Sequence, residues 1–244
     1  TTATLAVSAA GVQTGGSFTG IPTPNSCVVT ETSRPLAPAG YSWTNTLPHA
    51  ALPNPAAVSV GGTVATTVTN TLATNPGTVT VTKAVTGGPG GVPQGSYGLS
   101  INCTSGNPAT TTATLSVSAA GVQTGGSFTG IPTPNSCVVT ETSRPLAPAG
   151  YSWTNTLPQT ALPNPAALTA GGTVATTVTN TLAANPGTVT VTKAVTGGPG
   201  GVPQGNYGLS ISCSSGNPAT TTATLAVSAA GVQTGGSFTG IPTP

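Results

Sequence analysis

Lys83, Glu141 and Asn180 are residues whose types can react with one another, in a chain that holds few reactive groups of any kind. There are four Lys or Arg and two Asp or Glu in 244 residues, so each ionisable side chain stands out. A lysine amine kept neutral by an apolar site is a nucleophile. Beside an asparagine carboxamide it can form an amide and release ammonia, while a glutamate polarises the carbonyl and shuttles protons. The product is a neutral crosslink that removes the lysine charge.

Whether the three residues meet depends on the strands that carry them. Side chains two apart on a strand share a face. Val79, Val81, Lys83 and Val85 therefore lie on one face, with Thr78, Thr80, Thr82 and Thr86 on the other. The valine face is the expected core face, which turns Lys83 inward. The same parity groups Asn180 with Val174, Val178 and Leu182, and Glu141 with Cys137 and Val139. Residues 75–184 contain three charged side chains, and this reading buries two of them. An unpaired buried charge is strongly unfavourable, and even a paired one often fails to recover its desolvation cost. The arrangement needs a chemical reason.

The chain repeats every 110 residues, and residues 1–110 differ from 111–220 at ten positions. Such a period exceeds the roughly 20 to 50 residues of a solenoid unit and matches a whole domain. Asn75-Pro76-Gly77 and Asn185-Pro186-Gly187 read as linkers. The expected organisation is the C-terminal part of one unit in 1–74, a complete unit in 75–184 and the N-terminal part of a third in 185–244. Glu31 and Asn70 are then the first unit's share of the reactive set, and Lys193 the third's. With no Met in it, the sequence reads as a piece of a longer array.

Within the complete unit, alternating runs recur between Gly and Pro at 78–86, 97–103, 112–119, 127–131, 137–142, 151–156 and 173–182. Seven short strands with turn signals predict an all-β, immunoglobulin-like or prealbumin-like antiparallel β-sandwich, repeated in tandem as a rod or filament. Its expected large core side chains are Leu99, Ile101, Leu115, Val117, Phe128 and Trp153.

These residues resemble a known family, the Cna B-type, prealbumin-like (SpaA-like) domains of Gram-positive pilins and surface adhesins. There a first-strand Lys bonds to an Asn near the end of the last strand, helped by a Glu in E-T-x-A-P-x-G-Y. This chain has Thr80-Val81-Thr82-Lys83, Val178-Thr179-Asn180-Thr181, and Glu141-Thr142-Ser143 followed by Ala147-Pro148-Ala149-Gly150-Tyr151. The resemblance implies an intramolecular Lys83–Asn180 isopeptide promoted by Glu141, with Glu31, Asn70 and Lys193 as the corresponding residues of the flanking units. The inserted Arg144-Pro145-Leu146 departs from the pattern and bears on where Glu141 sits. In the competing reading, Lys83 snorkels to solvent, Glu141 and Arg144 form a surface pair, and Asn180 caps a turn. An intermolecular bond is a third reading.

Each unit carries one pair of cysteines. Cys103 and Cys137 share inward parity and are expected to pair, leaving Cys27 and Cys213 to partners outside the sequence; Cys27–Cys103 across the linker and two buried free thiols are the alternatives. Paired cysteines point to an oxidising, extracellular or cell-surface compartment. With one His and no Cys-x-x-Cys, no metal site or other cofactor is expected. The net charge of +2 without a basic stripe argues against nucleic-acid binding. Apolar runs fall short of the ~20 residues of a membrane helix. Tyr41 and Tyr151 with Trp43 and Trp153 read as packing before they read as a sugar platform. The Asn102-Cys103-Thr104 sequon is not shared by the next unit, where Ser212 stands, and the Thr-x-Thr runs follow from strands with Thr outside.

The expectation is an extracellular structural repeat protein whose partner is itself, as a polymer or continuous array. The alternative is an adhesin module that recognises a surface ligand through a face or its loops. No enzyme activity is expected beyond single-turnover self-crosslinking.

Overall fold

The computed structural model of the chain describes residues 2–5, 11, 15–53, 56–90, 92–117, 123–194, 203–227 and 233–243, and no helix occurs among them. The chain divides into two compact units, Thr1–Asn75 and Pro76–Pro244.

Among the described residues of the first unit six short strands form three two-stranded antiparallel sheets. β1 (Asn25–Cys27) pairs with β5 (Ala56–Val58), β2 (Thr30–Glu31) with β4 (His49–Ala50), and β3 (Tyr41–Trp43) with β6 (Leu72–Thr74).

The second unit begins with β7 (Gly77–Thr86), β8 (Gly95–Cys103), β9 (Thr112–Val117), β10 (Gln123–Ile131), β11 (Asn135–Ser143), β12 (Tyr151–Trp153), β13 (Gln159–Thr160), β14 (Ala166–Leu168) and β15 (Thr173–Ala184). One sheet has the order β10-β7-β15-β12. The other has the order β13-β11-β8-β9, with β14 also on β11. β7 and β15, the first and last of these nine strands, run parallel, with Lys83 opposite Val178. Further along, β16 (Gly187–Lys193) pairs with β19 (Gln233–Ile241), and β17 (Gly205–Ser210) with β18 (Thr222–Val227). None of the sheets closes on itself.

Alternation builds the core. Val79 and Val81 of β7, Phe128 and Ile131 of β10 and Val178 of β15 join Tyr97, Leu99 and Ile101 of β8, Leu115 and Val117 of β9 and Cys137 and Val139 of β11 in one buried cluster. Each large member contributes on the order of 1.5–3 kcal/mol by leaving water. Cys103 and Cys137 stand directly opposite each other on β8 and β11 and are joined by a disulfide. Cys27 and Cys213 are half-buried and unpaired within the chain.

The structure departs from the sequence reading in four places. The sandwich is not antiparallel throughout: β7 and β15 pair in parallel, because the chain enters both strands from the same end of their sheet. Among the described residues of 77–184 there are nine strands rather than seven, because β13 and β14, of two and three residues, are too short to carry an alternating pattern. The 151–156 run is a strand only as far as Trp153. Trp153 itself is half-buried rather than a core residue. Its indole Nε1 donates to Pro145 O at 3.1 Å, and the Arg144 guanidinium lies over its ring at 4.8 Å. Residues 118–119, expected to continue β9, lie outside the described residues.

Candidate functional site

Three strands bring Lys83, Glu141 and Asn180 together, and all three side chains are 0% exposed. Lys83 and Asn180 come from the parallel neighbours β7 and β15, on the face they share with Val81 and Val178. Glu141 comes from β11 in the other sheet. Its carboxylate spans the pair: Lys83 Nζ is 2.9 Å from Oε2, and Asn180 Nδ2 donates to Oε1 at 2.7 Å. Lys83 Nζ also reaches Val178 O at 3.5 Å and lies 4.9 Å above the Tyr97 ring. One carboxylate thus touches both the amine that would attack and the amide nitrogen that would leave.

The electrostatics fit a nucleophile. Burial pushes the Lys83 amine below its ordinary range; the hydrogen bond and the charge of Glu141 oppose that, and the Arg144 guanidinium adds to the depression. Burial, aided by the Glu141 charge, pushes the Tyr97 phenol up to about 12, so it stays a neutral donor, to Pro93 O at 2.9 Å. Asn180 Oδ1 is buried without a hydrogen-bond partner.

The inserted Arg144-Pro145-Leu146 leaves Glu141 in place. β11 keeps its register with β8 through Glu141 opposite Leu99, and the shift falls after it, where Ser143 comes opposite Gly98. Such a bulge redirects the strand, and the insertion turns away beyond it. Pro145 packs on Gly95, where φ is +134° and an added Cβ would stand 2.7 Å from Pro145 Cγ. A side chain there is excluded by both backbone and contact. Arg144 Nη2 donates to Asn155 O, while Nη1 is buried without a partner. The surface pairing of Glu141 with Arg144 does not occur: Glu141 is buried against Lys83.

Elsewhere the set is partial. In the first unit Asn70 Nδ2 donates to Glu31 Oε1 at 2.9 Å, and Asn70 Oδ1 accepts from Arg34 Nη1 at 3.1 Å and Asn45 Nδ2 at 2.7 Å. In 187–241, Lys193 is half-buried and lies 4.9 Å above the Tyr207 ring. The sequence reading missed Tyr97 as a neighbour of the reactive set, and offered Arg144 only as a surface partner of Glu141. Tyr97 was already on the inward face with Leu99, where an aromatic reads as packing. Arg144 follows the bulge, where parity no longer says which way a side chain points.

Among the described residues no group of His, Cys, Asp and Glu is arranged to hold a metal ion, and no helix is long and apolar enough to cross a membrane. The model of a family described as a domain of unknown function (DUF5979) matches residues 1–73 and 79–183. No curated protein matches the chain.

Proposed function

The chain belongs to the DUF5979 family, and on that premise we propose that it is an extracellular structural repeat protein whose complete unit locks itself with a Lys83–Asn180 isopeptide. The observation that carries this reading is the buried Glu141 carboxylate bridging Lys83 Nζ at 2.9 Å and Asn180 Nδ2 at 2.7 Å. The neutral Lys83 amine adds to Asn180 Cγ. Glu141 takes a proton from Nζ through Oε2 and delivers one to Nδ2 through Oε1. The Cγ–Nδ2 bond then breaks, ammonia leaves, and a neutral amide stands where the lysine amine was buried. No cofactor takes part, and there is one turnover.

The wider reading is a tandem array of Cna B-type-like β-sandwiches forming a filament, pilus or adhesin stalk. Support comes from the near-identical 110-residue period, from two sheets sharing one core, and from a low-charge, Thr-rich sequence with little repulsion between copies.

Intact-mass measurement of the folded chain tests the bond. The expected mass is one ammonia below that of the disulfide-bonded sequence, with peptide mapping that joins Lys83 to Asn180. A free Lys83 in folded protein removes the mechanism. Fibres that persist at high salt are expected of the native material, since few charges are available to be screened; monodisperse monomers would remove the filament.

A further inference from the structure

The two copies of one arginine differ in a single contact. Arg34 and Arg144 are anchored alike: Nη2 donates to the backbone oxygen of Asn45 or Asn155, and the guanidinium lies over Trp43 at 5.0 Å or Trp153 at 4.8 Å. In the first unit, where no lysine reaches the asparagine, Arg34 Nη1 donates to Asn70 Oδ1 at 3.1 Å, beside Asn45 Nδ2 at 2.7 Å. In the complete unit both members of that bond, Arg144 Nη1 and Asn180 Oδ1, are buried and without a hydrogen-bond partner. A buried donor and a buried acceptor left open, where the same sequence elsewhere closes them, are costly. They are useful if the acceptor gains charge during a reaction.

We propose that Arg144 is the oxyanion donor of the self-crosslinking step, its Nη1 bonding Asn180 Oδ1 as negative charge develops there. This rests on the isopeptide reading and assigns it a second functional residue. As the Lys83 Nζ–Asn180 Cγ bond forms, the carbonyl π pair moves onto Oδ1 and is met by the guanidinium N–H. As Cγ–Nδ2 breaks, that pair returns to the carbonyl and ammonia departs with the proton passed by Glu141. Arg144 stays protonated throughout. Donors held ready for a developing oxyanion are among the larger contributors to such steps. The same cation disfavours a charged Lys83 nearby, so it supports the nucleophile as well as the electrophile.

The test follows ammonia loss over time by intact mass in the full chain made by cell-free synthesis, as wild type, Arg144→Gln and Arg144→Lys. Expected are a rate about 10²-fold lower for Arg144→Gln, a smaller loss for Arg144→Lys, and a pH–rate profile displaced upward in Arg144→Gln. A merely structural arginine would not move that profile once the Cys103–Cys137 bond and the unfolding midpoint are matched. A folded Arg144→Gln chain that crosslinks at the wild-type rate with an unmoved profile overturns the proposal while leaving the isopeptide intact. If Arg144→Gln does not fold, Arg144→Lys decides: the wild-type rate overturns, a slowed rate supports. A wild-type chain that never loses ammonia removes both readings.

Discussion

Residues 63–71 and 173–181 share one sequence, Thr-Val-Ala-Thr-Thr-Val-Thr-Asn-Thr, and have two structures. The second copy lies within β15, in register along β7 from Thr173–Thr78 to Thr181–Thr86. The first makes a single bridge, Thr67 to Leu52, and is otherwise not strand. What differs is the neighbour: 173–181 lies along β7, whereas 63–71 bridges only to Leu52. Burial follows. Phe128 is 2% exposed and Phe18 40%, Leu182 4% and Leu72 39%. Strand formation here belongs to the pair of segments rather than to either one. The Glu–Asn hydrogen bond is present in both copies, at 2.9 Å and 2.7 Å, so it does not depend on a strand beside the asparagine's segment. Lysine is what the neighbouring strand adds.

That contrast can be broken most forcefully at Glu141. Glu141→Ala leaves Lys83 buried without its counter-charge, and we expect no ammonia loss together with destabilisation of about 3–5 kcal/mol. Urea unfolding read by Trp153 in a Trp43→Phe background measures it; an unchanged midpoint would mean that the carboxylate does not hold the lysine. Of similar size is Phe128→Ala, expected to cost about 3–5 kcal/mol, whereas Phe18→Ala should stay within about 0.5 kcal/mol. Equal costs at the two positions would erase the distinction between the regions. Replacing both Cys103 and Cys137 by Ser opens a loop of 34 residues and should cost roughly 3–4 kcal/mol, seen by Trp153 and not by Trp43.

The smallest effect is one of pH. In Asn180→Ala the crosslink cannot form and Lys83 remains buried with its amine pushed below the ordinary range. Between that lowered value and about 10.4 in the unfolded chain, the unfolded state binds a proton that the folded state does not. Stability of this variant should therefore rise with pH across that window and be flat below it. Residues 15–75 hold no lysine and should show no such slope. A fall in stability as pH rises beyond about 10.4 would mean that the lysine is held charged.

Parity carried much of the site in advance. Val79-x-Val81-x-Lys83, Val178-x-Asn180 and Val139-x-Glu141 turn inward as alternation requires, and their burial is complete. Alternation is informative there because the runs are long and apolar on one side only. It fails where chain geometry is set by contacts instead of period. β13 and β14 exist because β11 offers them edge positions at Thr140–Glu141 and Asn135–Cys137. Trp153 stands half-buried beneath Arg144 rather than in the core. Arg144 owes its position to the bulge after Glu141, which no spacing rule marks.

The parallel pairing of β7 and β15 has a mechanical consequence. The chain enters β7 at Gly77 at one end of the pair and leaves β15 at Ala184 at the other, with nine successive register pairs between them. A pull on the two ends runs along the strands, so the ladder is loaded in shear and its hydrogen bonds must fail together. An antiparallel hairpin pulled from its open end would instead unzip one pair at a time. At about 3.3 Å per residue, nine pairs form a clamp roughly 30 Å long, which resists extension before any covalent bond is counted.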